Sequence, residues 1–330
     1  MVPNLTWLSL RNHEYTSLKV GPILDAVKQL HSLKSLSIAI WSTDVVPLKD
    51  LYPLFERLEH LLKVRLCPLY GGLKDIGKTL STLKELKELV LSVYSMDDIE
   101  FLRAPSRHQE QHQGQEQDPG WRCDSPSTSS PSSSGDLSAP LLEHLDIQRV
   151  SLNSGSQETT TWISELVHHI LKTRHRLKYF NLQEFPLCIQ DDLVIQGEEE
   201  GLVWACKGLE TLQLTLSPHG DLGPVLFRAI FWEIGQMKRL KKLSIRYTTL
   251  RVDARLEILR VFEDGAKEMK ELTLSNRVHY QRWSREEIVK LTTSMPKLRY
   301  LNLKPLDCNQ YQVIASWLCE LGRGEIRLVT

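Results

Sequence analysis

Apolar residues in this chain recur in a fixed phrase, apolar-x-x-apolar-x-apolar, with Leu, Ile, Val, Met and Phe exchanging at the three apolar positions. It stands at Leu5-Leu8-Leu10, Leu33-Leu36-Ile38, Leu61-Val64-Leu66, Leu86-Leu89-Leu91, Leu142-Leu145-Ile147, Leu177-Phe180-Leu182, Leu209-Leu212-Leu214, Leu240-Leu243-Ile245, Met269-Leu272-Leu274 and Leu298-Leu301-Leu303. The last two apolar positions flank one outward position, which is the period of a short strand burying a single face. Between phrases the period lengthens to about 3.6, that of a helix. Ile163, Leu166, Val167, Ile170 and Leu171 fall on one helical stripe, and similar stripes run through Leu51, Leu54, Leu58 and Leu61, through Ile258, Leu259 and Phe262, and through Ile288, Leu291 and Met295. Ser284, followed by Glu286 and Glu287, predicts a capped start to the last of these, where the helix dipole favours acidic side chains.

Successive units begin at residues 5, 33 and 61, and again at 240, 269 and 298, a period of 28–29 residues. That is the length of one strand and one crossover helix. A unit so small cannot bury its own apolar face, so neighbours must stack and share a continuous core, with their strands in one parallel sheet. These are leucine-rich repeats. The expected fold is α/β, a right-handed leucine-rich-repeat solenoid, or horseshoe, with an inner parallel β-sheet and outer helices. Such an array grows by adding units, so 330 residues require one elongated domain and no second core.

One interval breaks the rhythm: from Leu86 to Leu142 the spacing doubles, and residues 104–140 are dominated by Gln, Ser, Pro and Gly. Such a segment buries too little apolar surface to offset the entropy of ordering it. The predicted organisation is therefore N-terminal repeats over 1–103, a disordered insertion over 104–140, and C-terminal repeats of the same solenoid over 141–330. Ile99-Glu100-Phe101-Leu102 reads as the remnant of an interrupted unit. The Ser/Thr run of the insertion offers hydroxyls to phosphorylation, although solenoids also accept insertions that have no role.

Composition narrows the possible partners. Forty-one basic residues cancel forty-one acidic ones, so no global field draws the chain to nucleic acid or an anionic membrane, and a protein partner must be recognised locally. The six cysteines, Cys67, Cys123, Cys188, Cys206, Cys308 and Cys319, are widely spaced, which predicts free thiols in a reducing compartment. The N-terminus enters a repeat at once, without the pattern of a secretion signal, and no run of eighteen apolar residues occurs. The expected location is cytoplasmic or nuclear, and the sequon at Asn4-Leu5-Thr6 reads as a chance match.

Candidate chemistry is sparse. Gly72-Leu73-Lys74-Asp75-Ile76-Gly77-Lys78-Thr79 matches the phosphate-loop pattern and follows a predicted strand, which would make the chain a nucleotide-binding enzyme built around Lys78. Against that, Leu73, Ile76, Leu80, Leu83 and Leu86 form an apolar stripe that starts a helix ahead of Gly77, where the loop chemistry needs backbone amides turned around phosphate. His168 and His169 are adjacent on a helix and diverge by one step, which is poor ligand geometry. The acidic run Glu198-Glu199-Glu200, with Asp191 and Asp192, reads as a solvated loop. No catalytic role, cofactor or metal is expected.

The face left for recognition is the concave one. In each unit three positions of the phrase point away from the core, and they form three rows across the C-terminal repeats. The rows are Tyr179, Thr211, Lys242, Glu271, Tyr300; Asn181, Gln213, Ser244, Thr273, Asn302; and Gln183, Thr215, Arg246, Ser275, Lys304. The candidate protein-binding residues are Tyr179, Asn181, Gln213, Lys242, Arg246, Tyr300, Asn302 and Lys304, polar but for two tyrosines and carrying a basic edge. Tyr and Arg are residue types that carry interface energy, about 2 kcal/mol or more at hot spots.

Over Leu202–Ile245, Trp204, Cys206, Leu209, Leu212, Leu214, Phe227, Phe231, Ile234, Gly235, Leu240 and Leu243 resemble the irregular repeats of fungal F-box and ribonuclease-inhibitor-like proteins. The resemblance implies a repeat array that holds a ubiquitination substrate while a separate F-box docks on the adaptor of a cullin-type ligase. This chain departs from that pattern: its first repeat begins four residues after Met1, which leaves no room for an F-box. The units also lack the regular Asn or Cys after the last leucine, with His13, Trp41, Val150, Thr248 and Leu306 at such positions, so irregular turns are expected there. Neither end shows an evident cap, and Glu325-Ile326-Arg327-Leu328 reads as one more strand. An inhibitor or a GTPase regulator outside ubiquitin transfer is the alternative role.

Overall fold

The computed structural model describes residues 4–12, 20–40, 52–67, 80, 83–93, 102, 141–149, 157–187, 203–216, 223–247, 259–263, 266–276, 282–304 and 306–329. Eleven strands form a single parallel sheet in chain order. They are β1 Trp7–Asn12, β2 Ser35–Ile40, β3 Lys63–Cys67, β4 Glu88–Val93, β5 His144–Arg149, β6 Tyr179–Leu187, β7 Thr211–Leu216, β8 Lys242–Tyr247, β9 Glu271–Asn276, β10 Tyr300–Asn302 and β11 Arg327–Val329. Between them lie α1 Val20–Val27, α2 Tyr52–Arg57, α3 Gln157–Thr173, α4 Gly223–Gly235, α5 Arg285–Ser294 and α6 Cys308–Glu320, with further helical turns at 259–263. This is the leucine-rich-repeat solenoid that the spacing predicts.

The apolar phrase becomes two buried columns. Register places Leu36, Val64, Leu89, Leu145, Phe180, Leu212, Leu243, Leu272 and Leu301 side by side, one per strand. Two residues on, Ile38, Leu66, Leu91, Ile147, Leu182, Leu214, Ile245 and Leu274 are all buried with them. Onto these columns the helices lay their stripes: Leu54, Leu58 and Leu61, Leu166, Val167, Ile170 and Leu171, Leu259 and Phe262, and Ile288, Leu291 and Met295 are all inside. Each such side chain contributes about 1.5–3 kcal/mol of transfer free energy, and no unit could collect it without its neighbours. At the β1 edge Leu5, Leu8 and Leu10 are only partly buried.

Backbone polar groups before each strand are joined by a repeating pair of bonds. Thr6 O accepts the N–H groups of both Lys34 and Ser35, Lys34 O those of Leu62 and Lys63, and the pattern continues through Lys178, Glu210, Lys241 and Lys270. The turns after the strands, at His13, Trp41, Val150 and Thr248, lie outside the described residues. The predicted cap at Ser284 is a reciprocal pair: Ser284 Oγ accepts from Glu287 N at 3.2 Å, and Glu287 Oε2 accepts from Ser284 N at 2.7 Å. At the far end Gly322 takes a left-handed conformation (φ 67°) after α6. Arg323 then donates to the carbonyls of Thr292 at 2.7 Å and Leu298 at 3.2 Å, fixing the last turn against α5.

The doubled interval adds no strand among the described residues, because β4 pairs directly with β5 from Glu88↔His144 to Val93↔Arg149, and Leu102 is buried in the core beside them. Residues 99–101, 104–140 and the phosphate-loop match at Gly72–Thr79 lie outside the described residues. In β6 the register shifts between Leu182 and Pro186, so Pro186 rather than Gln183 stands beside Thr215. The strand carries three more residues than its partner there, and proline tolerates such a break because it has no N–H to place in a ladder.

Candidate functional site

With helices on one face, the other face of the sheet carries the outward positions. Its first row is continuous from Trp7 through Ser35, Lys63, Glu88, His144, Tyr179, Thr211, Lys242, Glu271 and Tyr300 to Arg327. Neighbours in the row engage across strands: Lys63 pairs with Glu88 and Lys242 with Glu271, each at 2.7 Å. Between those pairs the rings of His144 and Tyr179 stack at 3.9 Å and 2°. Burial pushes the His144 imidazole below its ordinary value, against the pull of Glu88 and Asp146, and pushes the Tyr179 phenol up.

The second row is tied into this stack. Asp146 accepts from Asn181 Nδ2 at 2.7 Å and from Gln148 Nε2 at 2.9 Å, while Gln213 Nε2 donates to the Tyr179 hydroxyl at 3.3 Å. Tyr179 and Asn181 thus belong to a hydrogen-bonded centre of the face. Glu88, His144, Asp146 and Gln148 share it, and reading the rows only from Tyr179 onward missed them although they occupy the same positions in earlier units. Thr215 and Ser244, read as outward, are buried.

The other six candidates meet in a second place, with Gln213 reaching both. Gln213, Lys242, Arg246, Tyr300, Asn302 and Lys304 line one depression of about 480 Å³ over β7–β10, which reaches Val329 of β11. Tyr300 is 43% exposed, the most open aromatic ring of this part of the face. Among the described residues Asn302 Oδ1 is buried without a hydrogen-bond donor. The floor of the depression also holds Glu271, Thr273 and Ser275.

A second polar cluster lies on the helical side. Glu233 of α4, only 6% exposed, accepts from Trp204 N at 3.0 Å and from Lys207 Nζ at 2.7 Å with the same oxygen. His168 of α3 joins it, its Nδ1 accepting from the Trp204 indole N–H at 3.3 Å. Burial pushes the Cys206 thiol up to about 12, so it stays protonated and is a poor nucleophile. The cluster ties α3, α4 and the 203–207 segment together.

That arrangement sets a pH dependence. Burial first, then Lys172, holds the His168 imidazole below its ordinary 6.5, with Glu233 opposing, and burial does the same to His144. Below about pH 6.5 the unfolded chain therefore takes up protons that the folded chain resists, so stability falls as pH falls. Protonation also removes the acceptor that Trp204 uses. The midpoint of urea unfolding is expected to drop between pH 7 and pH 5, and His168→Gln to flatten that drop; an equal slope in the variant would remove His168 as its source.

No protein-family model matches the chain. No curated protein matches it. Solved structures do, among them the crystal structure of a TLR13–ssRNA13 complex, at 14% identity and a TM-score of 0.35 over 91% of this chain. The chain spans 29% of that protein's length, and a likeness at this level assigns neither ligand nor activity. Among the described residues no helix is long and apolar enough to cross a membrane.

Proposed function

We propose that this chain is a non-catalytic scaffold that binds another protein on the open face of its sheet. The observation that carries the reading is the gathering of six outward residues from three strands, β7, β8 and β10, and the segment after β10 around one depression. A parallel sheet with one solvated face must show polar residues there, but it need not present an open tyrosine, three cations and an acceptor without a donor in one place. Such a surface can hold and orient a partner.

The finer reading is a substrate-recognition array related to F-box ubiquitin-ligase receptors, working in the cytoplasm or nucleus. It is supported by the repeat phrase and by the resemblance over Leu202–Ile245, where Trp204, Cys206, Leu209, Phe231 and Ile234 all lie in the core. The test is affinity purification from native cells, with the intact chain set against a combined Lys242→Glu, Arg246→Glu and Lys304→Glu variant. Loss of specific partners from the variant, at an unchanged far-UV spectrum, is the expected outcome. Retention of every partner sinks the assignment of this face, and absence of cullin-ligase components from the intact chain's partners sinks the ubiquitin reading in favour of an inhibitor or GTPase regulator. The phosphate-loop alternative predicts ATP or GTP binding that Lys78→Ala abolishes.

A further inference from the structure

We infer that the depression over β7–β11 takes an extended, acidic peptide segment. This rests on the reading of the open face as a protein-recognition surface and adds what kind of segment is recognised.

Charge is the first ground. Among the described residues that line the depression, Lys242, Arg246 and Lys304 stand against one carboxylate, Glu271. Arg327 follows Tyr300 in the same row. Glu271 is already held by Lys242 at 2.7 Å, and among the described residues Lys304 and Arg327 enter no ion pair. Since the chain as a whole has no net charge, this excess is a property of the site and not of the protein.

Dimensions are the second ground. Four strand spacings of about 4.8 Å separate β7 from β11, a span of about 19 Å that an extended peptide covers in about six residues. Tyr300, 43% exposed, offers a ring against which one apolar side chain of such a segment packs.

The third ground separates a peptide from a nucleic-acid strand. Asn302 Oδ1 lacks a donor, and its terminal amide turns on a broad torsion, so it can swing into the depression and accept a backbone N–H. A peptide supplies a backbone N–H at nearly every residue, whereas the phosphates of a nucleic-acid strand supply no donor and leave that role to ribose hydroxyls and base edges.

The test is fluorescence anisotropy of the full chain with a labelled Asp-Glu-Leu-Asp-Glu-Asp hexapeptide, its Asn-Gln-Leu-Asn-Gln-Asn counterpart, and a labelled hexauridylate. The acidic peptide is expected to bind about tenfold or more tightly than the amide peptide, because only it meets the charged rim. The combined charge reversal at Lys242, Arg246 and Lys304 is expected to remove that advantage, and Asn302→Ala to weaken binding about threefold or more. Lys63→Glu with Arg65→Glu, on β3 of the same face, is expected to leave it unchanged. Equal binding of acidic and amide peptides, equal or tighter binding of hexauridylate, an equal loss in the β3 variant, or an unaltered Asn302→Ala variant each overturns the inference. If native partners leave the charge-reversed chain while the acidic peptide shows no preference, this inference fails and the recognition face stands; if the partners stay, the face itself is wrong.

Discussion

Phe180→Ala is expected to lower the free energy of unfolding by about 3–5 kcal/mol, the cost of losing a fully buried aromatic ring together with the cavity it leaves. Phe180 has no measurable exposure and sits in the core column between Leu145 and Leu212. It is the only aromatic residue of that column among the described strands, so neighbouring leucines cannot close the gap without moving the sheet. Phe180→Leu keeps most of the volume and is expected to cost less than about 1.5 kcal/mol. Because a solenoid is stabilised by contacts between adjacent units, weakening one interface in mid-array is also expected to split unfolding into two transitions. Urea unfolding followed by circular dichroism measures both. A loss below about 1 kcal/mol in the alanine variant would mean that the units around β6 do not share a close-packed column.

The second large effect is at Glu233. Its Oε2 takes both the Trp204 backbone N–H and the Lys207 ammonium in a site almost closed to water. Glu233→Ala leaves a backbone donor without a partner and is expected to cost about 2–3 kcal/mol. Glu233→Gln retains an acceptor for Trp204 and gives up only the charge. Lys207 is partly solvated, so that loss is screened and the cost is expected to be about half as large. Urea midpoints give the ranking, and Trp204 fluorescence reports whether its segment has come loose. Equal costs for the two variants would show that the charge, and not the hydrogen bond to Trp204, holds the cluster.

These two sites differ in how far the sequence announces them. Phe180 is named by its place in the phrase, because the inward position of a strand is fixed by its spacing from the leucines on either side. Glu233 lies in the run GPVLFRAIFWEIG, where helical period marks the apolar stripe but gives no reason for a carboxylate beside it. Its partners are 29 and 26 residues away, in a segment without regular structure. The candidate face divides in the same way. The period of two put Tyr179, Asn181, Gln213, Lys242, Arg246, Tyr300, Asn302 and Lys304 on outward positions. It did not separate the first two, which join His144 and Asp146, from the six that surround the depression.

By itself the sequence determined the repeat, the inward columns, the crossover stripes and the cap at Ser284, because each depends on residues within a few positions of one another along the chain. Only the tertiary structure decided that β4 meets β5 across the long interval, that β6 slips its register at Pro186, that Lys242 spends its charge on Glu271, and that Asn302 is left with an acceptor and no donor. Those outcomes depend on which side chains meet from units about thirty residues apart, and meeting is set by register and reach between strands, which no local period encodes.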